Sequence, residues 1–487
     1  MKTIPACLQA CLAATLLSTA RAETISAKDI HPERELLITA PAIVDSPAAK
    51  YPGAWSFGKL MEELVGEKEA GPCVREWLET WLRLRTVNDQ LVFPRPAIEQ
   101  KIILPWKKRD GYDPSLGEPW IPKMANAPFR LLAIVNRMDL AASDLAKQRE
   151  IVQAKWRRVG REKQFLNLLA EAGSLPATAT DPQPVNGGYG WGGGVTARPS
   201  VGEGRFVFGA VDREGQPLEG GWTVILEYRL PLDTKTTPAE WAASWHTLSD
   251  FDPAGDQFAP LLEQITDAFA KRLPNNGTPP ILAQLRTSEA AFGVDREFRQ
   301  FVLKEKFLVP APLTLTPGPA FAIPHSPEQR ILTAFLRDQN DLLRDGISGL
   351  PASFPIARKT VPIQAGSAFI LVNQPSFYWE GGSGISRDAR RLFSLNTCNG
   401  CHAGETACGD GMHVHPRAEG MPAQISAFLR TDGQPHKVTD PATPHTEIAY
   451  QEMNDRAALF AALLDPRDRT RLETLRDLLH DRLQRAH

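Results

Sequence analysis

Hydrophobic periodicity divides the chain into a helical opening, a β-rich middle and a short amphipathic helix near the C-terminus. Between residues 55 and 86, Trp55, Leu60, Leu64, Trp77 and Trp81 supply an apolar face at helical spacing, most simply a core face. Residues 129–135 (FRLLAIV) form a continuous apolar run ended by Asn136-Arg137, which suits a strand buried on both sides. Residues 146–172 read as an amphipathic, charge-laced helix. The runs 204–211 (GRFVFGAV) and 221–230 (GWTVILEYRL) are rich in β-branched and aromatic residues, and Asp212-Arg213-Glu214-Gly215 between them predicts a β-hairpin. Trp241 and Trp245, one helical turn apart, predict a helix packed on that sheet. His246 beside them reads as a core or boundary residue without assigned chemistry. Residues 309–327 are proline-rich and read as a linker or surface wrap, and residues 368–373 (AFILVN) as another strand.

Composition and charge narrow the function more than the fold. Of the 487 residues, 42% are hydrophobic and 23% charged, enough for a sizeable core in two or three domains. Lys+Arg number 55 against 57 Asp+Glu, a net charge of -2 that offers no basic footprint, so no nucleic-acid partner is expected. The glycine-rich segment 187–194 lacks the Lys-Ser/Thr or helix that follows a phosphate-binding loop, and it reads as a turn. Asn276-Gly277-Thr278 matches a glycosylation sequon and is read as a turn as well.

The first 22 residues read as a signal peptide: Met1-Lys2, an apolar run at 11–20, and the small-x-small site Ala20-Arg21-Ala22. The mature chain is then expected to begin at Glu23 and to be periplasmic or secreted. A lipoprotein site at Leu8-Gln9-Ala10-Cys11 would leave most of the apolar run after the cleaved bond, so a lipid anchor is not expected. No later stretch has the length and apolarity of a transmembrane segment. Removal of the signal leaves Cys73, Cys398, Cys401 and Cys408 in a compartment that permits disulfides.

Cys398-Asn399-Gly400-Cys401-His402 is the most informative stretch. In c-type cytochromes, two thiols separated by two residues add to the vinyl groups of haem, and the following His binds the iron. Ahead of the motif, Ser386 is placed to cap a helix, Asp388 falls in its first turn, and Ala389, Leu392, Phe393 and Asn396 share one face. Three other readings stay open: a CxxC redox pair, a zinc site drawing on Cys398, Cys401, Cys408 and His402 or His413, and a plain disulfide. If haem uses Cys398 and Cys401, arithmetic leaves Cys73 and Cys408 as a disulfide candidate. For the distal iron ligand, His413 leads, followed by Met453 and Met412. Tyr378 and Trp379 could wall the haem or meet a partner, but aromatics before a glycine turn read more simply as packing.

The helix running into the cysteines resembles the start of class I cytochrome c domains, although Phe393 stands five residues before Cys398, where that family usually has four. The stretches 373–382, 385–406, 127–140, 204–209 and 223–228 together resemble a group of uncharacterised exported bacterial proteins with a single C-terminal CxxCH. In that group a His followed shortly by Pro-Arg comes after the cysteines, which here matches His413 with Pro416-Arg417.

The expected fold is α+β. A mixed region at 23–326, with a β-hairpin or sheet and packed helices, precedes a mostly helical, cytochrome c-like segment at 327–487. The expected function is that of an exported monohaem electron-transfer protein, an electron carrier rather than a defined catalyst, working with a redox partner protein. It would hold one covalent haem c through Cys398 and Cys401, with His402 as proximal ligand. Two other functions remain open, a non-redox secreted binding or structural protein and a haem-dependent enzyme such as a peroxidase.

Overall fold

A computed structural model of the chain describes residues 25–138, 200–232, 236–273, 277–293, 295–338, 340, 350, 353–356, 359–370 and 376–464. The signal segment, the helix expected at 146–172, the glycine-rich segment at 187–194, Asn276 and the end of the strand expected at 368–373 lie outside the described residues.

The aromatic and β-branched runs do form strands. The strands β1 (Leu37–Ile38), β2 (Phe129–Met138), β3 (Ser200–Ala210), β4 (Trp222–Pro231), β5 (Leu282–Glu289), β6 (Arg296–Lys304), β7 (Phe307–Ala311) and β8 (Ala368–Ile370) make one sheet. It runs β1-β2-β3-β4-β5-β6 with every pair antiparallel. β8 pairs with the start of β6 and β7 with its end, on the same outer edge. The expected hairpin is β3–β4, with Phe208 opposite Val224. Part of the proline-rich 309–327 stretch is sheet rather than linker, because β7 reaches Ala311 and Leu313 N–H then donates to the Ala365 carbonyl.

Because side chains alternate across a strand, the sheet has two unlike faces. One carries Phe206, Phe208, Trp222, Val224, Leu226 and Tyr228 against helices α1 (Phe57–Val65), α2 (Glu67–Glu79), α3 (Pro238–His246) and α4 (Phe258–Ala270). The helical stretch expected from Trp55 breaks at Gly66, whose φ of 95° suits glycine. Trp55, Leu60, Leu64, Trp77 and Trp81 are all buried. Trp77 stacks on Trp222 at 5.7 Å and meets Trp81 edge-on at 5.3 Å, so this is an aromatic core. Gly204 lets α4 approach, since a Cβ there would lie 2.3 Å from the Phe269 ring.

The other face carries Glu203, Arg205, Val207, Thr223, Ile225, Glu227, Arg286, Ser288 and Phe298, all sheltered from solvent. The segment bearing the CxxCH motif covers it. Val414, Met453, Ala457 and Phe460 belong to the same hydrophobic cluster as the sheet and the N-terminal helices.

The C-terminal segment is not mostly helical or cytochrome c-like, contrary to the sequence expectation. Among its described residues the helices of two turns or more are α5 (Pro327–Asp338), α6 (Arg387–Leu395) and α7 (Glu452–Leu464). Two short hairpins, 353–362 and 436–450, and strand β8 occupy much of the remainder. Between residues 404 and 444, Gly404, Gly409, Gly411, Pro416, Gly420, Pro422, Gly433, Pro435, Pro441 and Pro444 recur too often for a continued helix. The wall that helices would build is supplied by the large sheet.

His246 ends α3 beside α7, and its Nδ1 lies 2.7 Å from Glu35 Oε2, a buried carboxylate whose other oxygen accepts from His31 N–H. Hydrogen bonding to Glu35 raises the His246 pKa above its ordinary value, against the opposing effect of burial. A raised folded pKa stabilises fully below the unfolded value of about 6.5 and is lost as pH climbs through the folded value. The urea midpoint of the wild type is therefore expected to fall from pH 6 towards pH 8 by more than that of His246→Gln. Equal slopes in the two proteins would remove this ion pair from the stability of the fold.

Candidate functional site

Ser386 Oγ accepts from Ala389 N–H and starts α6, whose Ala389, Leu392 and Phe393 are buried as the periodicity predicts. After Asn396 the chain turns, and Thr397 caps a single helical turn, Cys398–Cys401, by accepting from Gly400 N–H at 3.0 Å. Gly400 is required there, because a Cβ would come within 2.2 Å of the Ser394 carbonyl oxygen. Trp379 supports the turn from outside: its Nε1–H donates to Asn399 Oδ1 at 3.0 Å and its backbone N–H to Ser394 Oγ. Trp379 is thus packing and positioning in one, while Tyr378 lies under the Arg390 guanidinium at 5.2 Å.

The motif faces the polar side of the sheet across a cavity of about 90 Å³. Cys398, His402, Met412, His413 and Met453 all line it, so His402 and every distal candidate named from sequence converge on one space. Cys401 stands at its margin, with Sγ 3.7 Å from His413 Nε2.

The two histidines are set in the same way. His402 Nδ1–H donates to the Gly411 carbonyl at 2.8 Å, which makes Nε2 the nitrogen bearing the lone pair. His413 Nδ1 bonds Ser426 Oγ at 2.8 Å, and its Nε2 is the nitrogen on the Cys401 side. Burial pushes the His402 pKa down to about 3 and that of His413 well below its ordinary value, so both rings are neutral imidazoles, the form that ligates metals. Their centroids are 4.4 Å apart, with Phe298 packed on His402 and Phe428 on His413. At that separation the rings touch, and a flat group between them needs His413 to draw back. The histidine belongs to no helix or strand, but its carbonyl accepts from Ser426 N–H at 2.9 Å and the next residue, Val414, bridges Ile425, so such a movement has to carry this local pairing with it.

Among the described residues there are four thiols, and none is in a disulfide. Cys73 is packed in the N-terminal core and Cys408 Sγ donates to the Met412 carbonyl, so the Cys73–Cys408 pair that arithmetic left is not formed. Burial raises the Cys398 pKa, opposite to what a reactive CxxC redox pair requires. Among the described residues, no group of three or more His, Cys, Asp or Glu side chains gathers as a metal-ion site. No described helix is long and apolar enough to cross a membrane.

Several residues hold the site through partners that the sequence did not signal. Arg390, on α6, forms ion pairs with Glu405 and, at 3.2 Å, with Asp440, all buried, and so ties α6 to the chain after the motif and to the 436–450 hairpin. Arg417 grips Asp45 with both Nη atoms at 2.7 and 2.9 Å and donates to the Leu131 carbonyl of β2. Arg296 of β6 donates to the Asp410 and Gly220 carbonyls. These arginines fasten the irregular segment on both sides of His413. The Pro-Arg after His413 was visible in the sequence, but its partner Asp45 lies 372 residues away. Comparison of the chain with protein-family models, curated proteins and solved structures finds no match.

Proposed function

We propose that this chain is an exported monohaem c-type protein that transfers electrons, its haem attached through Cys398 and Cys401 and ligated by His402 and His413. The observation that carries the reading is the convergence of two neutral imidazoles, each anchored at Nδ1, on one cavity beside the CxxCH thiols. A bound haem supplies a one-electron iron couple within a site that two imidazoles bias towards lower potential. The protein orients the imidazoles through the Gly411 carbonyl and Ser426 hydroxyl, and it limits water with Phe298, Phe428 and the sheet. Met412 and Met453 line the same cavity, yet neither sulfur has an anchoring contact comparable to the His413–Ser426 bond among the described interactions. Export rests on the pattern of residues 1–22.

Axial ligation is testable by spectrum. The ferric wild type is expected to be six-coordinate and low-spin. His413→Ala is expected to become largely high-spin and to bind added imidazole, whereas Met412→Ala and Met453→Ala stay low-spin. A low-spin His413→Ala protein alongside a high-spin Met453→Ala protein would assign the distal position to Met453 instead.

A further inference from the structure

We propose that Glu289 and Glu297 form a proton-binding pair behind the cavity, which takes up one proton as the cavity's cofactor accepts an electron. This adds proton uptake to electron transfer and rests on the haem reading. Glu289 of β5 and Glu297 of β6 are direct partners across the antiparallel ladder, and both are fully buried. They point to the helix side of the sheet, since Glu289 also stands opposite Trp222. Their chain neighbours Ser288 and Phe298 are likewise partners and point to the cavity, where the Phe298 ring lies 4.9 Å from that of His402. One thickness of sheet therefore separates the carboxylates from the proximal ligand.

Like charges directly opposite in a buried sheet are unfavourable, and the cations at hand serve the two carboxylates unequally. Glu297 Oε2 takes Arg95 Nε at 2.9 Å and Arg299 Nη2 at 2.8 Å. Glu289 Oε1 has only Arg299 Nε, at 3.4 Å, and a hydrogen bond from Trp81 Nε1–H. Arg296 of β6 interacts with Glu289 by charge alone, its own donors going to Ser288, Gly220 and Asp410. Neither Glu289 Oε2 nor Glu297 Oε1 has a partner at hydrogen-bond geometry among the described residues. A proton on Glu289 removes the repulsion and leaves on Glu297 the charge that Arg95 and Arg299 match. Burial, with Glu297 adding to it, raises the Glu289 pKa to about 7 against Arg299, Trp81 and Thr287. The pair thus gains or loses its proton near neutrality. One electron from the redox partner goes to the iron, and one proton from solvent goes to the Glu289 carboxylate, forming its O–H bond, so that the buried charge is balanced.

The test uses the full chain, exported together with a haem-attachment system, as wild type, Glu289→Gln, Glu297→Gln, Trp81→Phe and Glu227→Gln. The midpoint potential from about pH 5 to pH 9 and the reduced-minus-oxidised infrared spectrum are measured on each. In the wild type the potential should fall as pH rises through the titration of the pair, because reduction strengthens proton binding across the sheet roughly threefold to tenfold, tenfold being about 59 mV for one electron. The difference spectrum should show the carbonyl stretch of a protonated carboxylic acid appearing on reduction. Glu289→Gln, which keeps an acceptor for Trp81, should lose that band and flatten the curve by the same amount. Glu297→Gln removes the opposing charge and should move the fall to lower pH, whereas Trp81→Phe removes a donor to the carboxylate and should move it to higher pH. These opposite displacements decide the case if Glu289→Gln does not fold, and a purely structural role would produce neither. A haem-loaded wild type with a potential independent of pH, a Glu289→Gln protein with the wild-type fall and band, or a fall abolished by Glu227→Gln alone would overturn the pair's role and leave the haem reading standing. A wild type without covalent haem would overturn both.

Discussion

Replacing both motif cysteines, Cys398→Ser/Cys401→Ser, is expected to abolish covalent haem altogether while the sheet survives. Thioether formation needs both sulfurs at this spacing, and no serine oxygen substitutes for them. The fold does not depend on the thiols, because neither is in a disulfide and the turn is held by Thr397, Gly400 and the Trp379–Asn399 bond. A buried hydroxyl in place of each thiol costs roughly 1–3 kcal/mol if it finds no partner. The purified variant should thus be colourless after denaturation, with far-ultraviolet circular dichroism close to the wild type. Retained colour after denaturation would show that the cofactor is attached elsewhere.

The second large effect is expected at Arg390. Removing it by Arg390→Ala leaves Glu405 and Asp440, both fully buried, without their shared cation. Breaking a buried pair from one side costs roughly 3–5 kcal/mol, because the remaining charge has no compensation. Here the loss falls on the contacts that fix α6 against the motif and the 436–450 hairpin. Denaturant unfolding should show a drop of that order, together with lower haem loading. The triple variant Arg390→Ala/Glu405→Gln/Asp440→Asn should recover part of the stability, since no carboxylate is then left charged and buried. Stability unchanged in Arg390→Ala would mean that the network contributes nothing to holding the motif.

Local periodicity carried over well into the structure wherever one element decides its own form. The β3–β4 hairpin, the buried strand β2, the Trp241/Trp245 helix and the Ser386-capped helix each follow from residues a few positions apart. The architecture of the C-terminal segment did not carry over, because the CxxCH motif implies a helical wrapping that its surroundings do not provide. The cavity wall comes from β3, β4, β5 and β6, far away in sequence, and from charged residues such as Arg205 and Arg286 that in isolation read as solvent-facing. The fastening arginines were hidden for the same reason: Arg417 reaches Asp45, and Arg296 reaches backbone carbonyls that carry no side-chain signature. The site residues lay close together in the chain, from 398 to 413 with Met453, so the sequence could name them, but only the fold brings them to one cavity.

The most direct test of the account is the intact mass of the wild-type chain, produced with export and haem attachment and then denatured, read beside its pyridine haemochrome spectrum. The account predicts a polypeptide mass increased by one haem and a bis-thioether haemochrome at equal stoichiometry. A bare polypeptide mass with no haemochrome, in cells that load another c-type protein normally, would contradict it.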